Sequence, residues 1–111
     1  MIAFDPRTAA RAAVAAAQPE RPATAIISDT PDARLVVFRL APGQVVAPHR
    51  STSSVLLTVL EGTGTLSGEA EERACAAGDV VAYAPNELHG MRADGGELLL
   101  LATITPRPGA R

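Results

Sequence analysis

The feature that most constrains this chain is a series of short apolar runs interrupted at regular intervals by Gly, Pro, Asn and Asp. The runs are rich in Val, Ile and Leu, and each has the length of a β-strand rather than of a helix. They occupy 25–27, 35–40, 45–46, 55–60, 64–67, 71–74, 80–83 and 97–104. The interrupting segments, which we interpret as turns, lie at 29–32, 42–43, 61–62, 78–79, 85–86 and 94–96. Short strands at this spacing favour a sandwich or barrel over a sheet with alternating helices.

One helix is predicted, and it precedes all the strands. Asp5 is suited to cap it, Pro6 suits its first position, and the Ala-rich stretch 7–17 has high helix propensity. Pro19 and Pro22 are expected to end it. Its apolar face is mostly Ala, so we expect it to lie against the barrel or a partner chain.

The length of 111 residues fits a single domain. We divide the chain into an N-terminal helix and linker (1–22), a β-barrel (23–105) and a C-terminal tail (106–111) that is extended or frayed. The formal net charge is −2, and the ten basic residues, all Arg, are scattered. No basic patch is therefore present for nucleic acid or for an anionic membrane surface.

Two further observations bear on the compartment. No apolar run approaches the ~20 residues of a membrane helix, and Arg11 breaks the Ala-rich start, which is therefore a poor signal peptide. Cys75 is the only cysteine, so it cannot form an intrachain disulfide, and we expect a buried structural thiol. These features predict a cytoplasmic protein.

The chain has only two histidines, His49 and His89, and each lies at the edge of a strand run. Around His49 the chain resembles the first motif of the cupin superfamily, in which Gly, His, His, Glu and Gly recur at fixed intervals. The corresponding positions here are Gly43, His49, Ser51, Val55 (or Leu56) and Gly62.

The second cupin motif has Gly-Asp, a short apolar strand, a Pro-rich turn and a His. The corresponding positions here are Gly78-Asp79, Val80-Val81, Pro85-Asn86 and His89. The resemblance covers about residues 35–105. It implies an all-β fold, the cupin-type double-stranded β-helix or jelly-roll barrel, with a short N-terminal α-helix added.

In the family, three His and one Glu from these motifs hold a divalent metal, with open positions for substrate. Residues two apart in a strand point to the same face, which explains the His-x-His spacing. Here Ser51 stands in place of the second His and Val55 in place of the Glu. Two imidazoles without a carboxylate neither neutralise a divalent ion nor fix its geometry. The resemblance thus implies an incomplete site at His49 and His89, which holds Zn, Fe, Mn or Ni weakly or not at all.

Two acidic residues are candidates to replace the missing ligand. Glu61 corresponds to a position in the outer turn of the family fold, and Glu87 lies in the loop two residues before His89. We expect Glu87 to be a solvated loop carboxylate rather than a ligand.

Strand alternation predicts a mainly apolar ligand pocket with a few polar groups, which suits a small, partly hydrophobic molecule. The competing interpretation of these positions is ordinary barrel core. The residues expected to line the pocket with His49 and His89 are Phe38, Leu40, Ser51, Val55, Leu57 and Met91, together with alternate residues of 98–102.

Three functions follow from this pattern. The first is binding of a small molecule in the barrel, with His49 and His89 as hydrogen-bonding groups. The alternative is a metal-dependent enzyme of the dioxygenase or isomerase type, with a divalent metal held by both histidines and other ligands. The third is metal-free acid–base catalysis, which ranks last because no Asp or Glu at an inward position orients either imidazole. The sequence leaves open whether the protein is an enzyme.

Small cupins commonly form dimers, and open barrel edges favour pairing with a second chain. We therefore predict a homodimer to which residues 23–40 and the N-terminal helix contribute. The helix is too short and too poor in basic surface to serve as a DNA-binding module. We therefore expect a small-molecule ligand and a second copy of the chain as partners, with no nucleic acid and no membrane.

Overall fold

The computed structural model describes residues 1–14 and 20–109. Within them the chain forms one helix followed by strands, all paired antiparallel, in the order β1-β2-β7-β4-β5, with β3 on β7 and β6 on β4. The elements are α1 (Pro6–Ala12), β1 (Ala23–Asp29), β2 (Arg34–Leu40), β3 (Val45–His49), β4 (Ser54–Ser67), β5 (Glu72–Ala76), β6 (Val80–Tyr83) and β7 (His89–Thr105). The all-β class predicted from the sequence is confirmed.

Strands β4 and β7 are longer than the sequence predicts. The composition of 61–62 and 94–96 predicts turns, but β4 continues through the first segment and β7 through the second. The two strands pair over most of their length, and their register shifts between Val59 and Glu61 and again between Gly62 and Gly64. Gly62 has a φ of 85°, so the glycine marks a β-bulge that bends a continuous strand.

Helix α1 begins as predicted and ends early. Asp5 caps it by accepting a hydrogen bond from the backbone N–H of Thr8 at 3.2 Å, and Pro6 opens it. The predicted helix over 7–17 is wrong at 13–14, because the helix ends at Ala12 and Ala13 is extended. Helix propensity alone does not hold so short a helix, and only Ala10 is buried to anchor it. The predicted residues 15–17 lie outside the described ones.

The apolar residues form two clusters on opposite faces of the sheet. The larger fills the barrel and includes Leu57, Leu98 and Leu100, and the smaller packs Val37 and Leu99 beneath α1. β2 contributes to both clusters because its successive side chains alternate between the two faces. One face of β7 therefore supports the helix while the other lines the barrel interior.

Cys75 is 4% exposed within the larger cluster, and burial raises the pKa of its thiol, as expected of a structural cysteine. None of the helical structure in the described ranges is long and apolar enough to cross a membrane. β1 lies at one end of the strand order and exposes Ile26. The homodimer stays a prediction.

Candidate functional site

A cavity of about 380 Å³ opens into the barrel where β2, β4 and β7 meet the loop after β3. Its wall is mainly aliphatic, and its polar groups lie near the two histidines. The lining residues are Phe38, His49, Arg50, Ser51, Thr52, Val55, Leu57, His89, Met91, Ala102, Ile104 and Pro108.

The structure brings together most of the residues that the sequence places in a pocket. Of the alternate residues of 98–102, Ala102 lines the cavity, whereas Leu98 and Leu100 are buried in the larger core cluster. The prediction is also wrong for Leu40, which is 0% exposed within that cluster and does not line the cavity. It lies two residues further along β2 than Phe38 on the same face, where Leu98 pairs with it and Leu66 also fills the interior. That end of the barrel is closed by side chains.

His49 and His89 lie next to each other on the cavity wall. They are directly opposite residues of the β3–β7 pair, at the end of β3 and the start of β7. Their ring centroids are 4.2 Å apart with an angle of 59° between the ring planes. Two histidines that are distant in the sequence thus form one paired polar group.

Both imidazoles are oriented by backbone carbonyl groups. Nδ1 of His49 lies 3.0 Å from the carbonyl oxygen of Ala47, and Nδ1 of His89 lies 3.1 Å from that of Glu87. A carbonyl oxygen only accepts hydrogen bonds, so each Nδ1 is the donor, and in the neutral ring Nε2 carries the lone pair. The orienting partners that sequence reasoning sought among acidic side chains are therefore main-chain oxygens two residues upstream.

His89 is buried, and Tyr83 packs against it. The two ring centroids are 5.2 Å apart, and the Tyr83 hydroxyl donates a 2.9 Å hydrogen bond to the carbonyl of Ser67. Burial is the main cause that lowers the pKa of His89 below its ordinary value of 6.5, and the neighbouring His49 lowers it further. The His89 ring is therefore neutral at pH 7 and presents Nε2 as an acceptor.

This pKa predicts that acid destabilises the fold through His89. Because the folded-state pKa of His89 is lowered, the unfolded chain binds more protons than the folded chain just below pH 6.5. The contribution of the neutral His89 ring to stability is therefore complete above that value and is lost as pH decreases. We expect the thermal midpoint to fall between pH 7 and about pH 5, and the fall to be smaller in His89→Phe, which cannot titrate. Thermal denaturation across this range measures both slopes. An equal slope in the two proteins would contradict the assignment.

The donor set does not fit the metal centre that the sequence motifs imply. Among residues 1–14 and 20–109, no group of three or more His, Cys, Asp or Glu could hold a metal ion. Glu87 accepts a 2.9 Å hydrogen bond from the backbone N–H of Ala84, and Glu61 forms an ion pair with Arg11. The Ser51 hydroxyl accepts a hydrogen bond from the backbone N–H of Ser53 and so stabilises the loop after β3. Two imidazoles remain, without a carboxylate.

Sequence reasoning missed four lining residues, all beyond the reach of the strand alternation used. Arg50 and Thr52 lie in the loop after β3, where the alternation of faces no longer applies. Ile104 lies one alternate position past the predicted set, on the same face as Ala102.

The fourth, Pro108, belongs to the tail, which the sequence predicts to be extended or frayed. The described part of the tail is instead held by the carbonyl of Pro106, which accepts a 2.6 Å hydrogen bond from the Ser53 hydroxyl. The backbone N–H of Arg107 also donates to the carbonyl of Pro31 at 3.2 Å. These bonds bring Pro108 to the cavity mouth.

Comparisons with known proteins agree with this architecture. The family model for the cupin domain matches residues 36–105. TT1209 from Thermus thermophilus is 27% identical, with a TM-score of 0.77 over 85% of this chain and 91% of that one. KdgF from Halomonas sp. is 24% identical, with a TM-score of 0.77 over 84% and 86% of the two chains.

A predicted oxalate decarboxylase from Thermotoga maritima is 24% identical, with a TM-score of 0.71 over 77% of this chain and 80% of that one. At this identity the likeness concerns the fold alone. A comparison with curated protein sequences finds no match. The matched segment spans β2 to β7 and both histidine motifs, so the chain belongs to the cupin family and its barrel is the cupin jelly roll.

Proposed function

We propose that this cupin binds a small, mainly apolar molecule that donates a hydrogen bond to the His49–His89 pair. The observation that carries the proposal is the pair of Nδ1–carbonyl contacts, which leaves Nε2 of neutral His89 as an acceptor on the wall of an apolar cavity. An occupant that displaces water from this nitrogen without replacing its hydrogen bond loses binding energy, so an occupant with an O–H or N–H group is preferred to a pure hydrocarbon. The volume of about 380 Å³ lies within the range of small-molecule sites.

The proposal does not require a metal. Val55, at the position of the family's Glu, is one of the aliphatic residues of the cavity wall. The polar groups that remain can recognise a ligand by hydrogen bonding alone. The metal-dependent alternative needs a third protein ligand beside both imidazoles, and the surroundings of His49 and His89 described above supply none.

Binding of phenol compared with toluene tests the proposal, since the two molecules differ mainly by one hydrogen-bond donor. We expect phenol to bind the untagged, full-length protein with a Kd of about 1 mM, and toluene to bind roughly tenfold more weakly. NMR titration of the protein amide resonances measures both constants. In the double variant His49→Phe/His89→Phe the preference for phenol should disappear.

Tyr83→Phe is the matched control, because it removes the hydroxyl of a ring that packs against His89 and does not line the cavity. It should keep the preference for phenol. The proposal is wrong if neither probe shifts resonances of cavity residues up to its solubility limit. It is also wrong if metal analysis finds one tightly bound transition metal per chain, which would favour the metal-dependent alternative.

A further inference from the structure

Arg50 brings a positive charge to the rim of the cavity. It directly follows His49 at the end of β3, and its side chain is 54% exposed. Among the lining residues of the described chain, it alone carries a permanent formal charge. A molecule that fills the cavity therefore meets an apolar wall inside and a guanidinium at the mouth.

The guanidinium is held in place by two loops, the one between β4 and β5 and the one that leads to His89. Nη1 and Nη2 of Arg50 donate to the two carboxylate oxygens of Glu69, the Nη2 contact at 3.2 Å. Nη1 also donates to the carbonyl of Asn86 at 2.8 Å. Glu69 in turn accepts a 3.0 Å hydrogen bond from the backbone N–H of Leu88. These contacts fix the rim loops together and restrict the rotamers of Arg50.

Two of the five N–H donors of Arg50 remain. An arginine side chain has one N–H at Nε and two at each Nη. The contacts to Glu69 and Asn86 use three of them, and no other side chain or carbonyl of residues 1–14 and 20–109 accepts from the Nε–H or the second Nη2–H. These two N–H groups lie on the same edge of the planar group, the fork geometry that binds a carboxylate through both oxygens.

We propose that the ligand of this cavity is a small carboxylic acid, bound as its anion, with the carboxylate on the open edge of Arg50 and an apolar body inside the barrel. This inference rests on the proposed function and deepens it by naming the ligand class. The complementarity is between one fixed cation at the rim and one anionic end of the ligand. The hydroxyl or N–H group that the histidine pair accepts lies elsewhere on the same molecule.

Glu69 determines how strongly Arg50 attracts a ligand carboxylate. Its pKa is lowered, mainly by the hydrogen bond from Arg50, so it is ionised at pH 7 and partly offsets the charge that attracts a ligand carboxylate. Glu69→Gln keeps an oxygen for Arg50 and Leu88 but removes the negative charge. This substitution should therefore tighten carboxylate binding, whereas loss of Arg50 should weaken it. The two variants give opposite signs if the site is electrostatic.

The test compares para-hydroxybenzoate and para-hydroxyphenylacetate, each against its primary amide, on the full-length protein. Both members of a pair share the ring and the hydroxyl, so they differ in charge at one end. We expect the better carboxylate to bind about tenfold more tightly than its amide, and less so as salt is added. In Arg50→Gln the ratio should fall to about one with amide binding unchanged, and Arg50→Lys should give an intermediate ratio.

Arg39→Gln is the matched control, since Arg39 forms a comparable surface pair with Glu97 away from this cavity. It should leave the ratio unchanged. If the amides bind as well as the carboxylates, the carboxylate inference is wrong while the proposed function stands. If neither member of either pair binds, the proposed function itself fails. If Arg50→Gln does not fold, as circular dichroism would show, the ratios in Arg50→Lys and Glu69→Gln decide, and an unchanged ratio in both overturns the inference.

Discussion

Replacing Gly62 with Ala is expected to destabilise the barrel by about 3 kcal/mol or more, a large part of the roughly 5–15 kcal/mol that holds a typical domain. Gly62 has a φ of 85°, which L side chains rarely adopt. A Cβ there would also lie 1.9 Å from the backbone carbonyl oxygen of Glu97 on β7. Backbone cannot rotate away as a side chain can, so β4 and β7 would have to separate at their bulge. Thermal denaturation should show a midpoint lower by roughly 10–20 °C.

Two other glycines separate the causes of this loss. Gly43 has a φ of 83° with nothing within 4 Å of an added Cβ, so Gly43→Ala measures backbone strain alone, about 1 kcal/mol. Gly96 has neither a positive φ nor a close neighbour, so Gly96→Ala should be nearly neutral. The interpretation is wrong if Gly62→Ala loses no more stability than Gly43→Ala, since the strands would then part without cost.

The same bulge separates what the sequence predicts about the fold, the strands, from what it does not predict, the bulge within β4. The apolar runs predict strands because each presents a face that must be buried, and the structure has a strand at every run. Glu61-Gly62 has the composition of a turn, yet β4 runs through it, because a glycine with positive φ serves a bulge as well as a turn. Composition does not distinguish the two, since the choice depends on whether β7 lies opposite.

For the candidate site, spacing places the histidines and alternation places most of the apolar wall. Those rules hold while the chain is in a strand, and they fail at Arg50, Thr52 and Pro108, where loops and the tail set the direction of each side chain. The carbonyl partners of the imidazoles are not visible in the sequence either, because every residue has a carbonyl. Leu40 is the reverse case: it lies on the predicted face, at a depth where the barrel is already full.

Filling the cavity from its wall should abolish ligand binding while the fold is kept. Ala102 is 2% exposed, lines the cavity, and lies opposite Leu57 on β4 and Val36 on β2. In Ala102→Phe a ring replaces a methyl group and occupies the space that an apolar ligand would take. We expect phenol and the hydroxyaryl carboxylates to lose binding by roughly 100-fold or beyond detection, since the cost of displacing a packed ring exceeds about 2.7 kcal/mol. NMR titration with these probes measures the loss.

The fold should tolerate this change because the added ring enters existing space rather than a packed core. Overpacking costs about 1–3 kcal/mol where no space exists, and a cavity of about 380 Å³ removes most of that cost. Thr103→Phe is the matched control: it places the same ring one residue along β7, on the opposite, partly exposed face. It should bind the probes as the wild type does. If Ala102→Phe melts near the wild-type temperature and still binds them, the ligand does not occupy this cavity, and the roles assigned to the His49–His89 pair and to Arg50 fall with it.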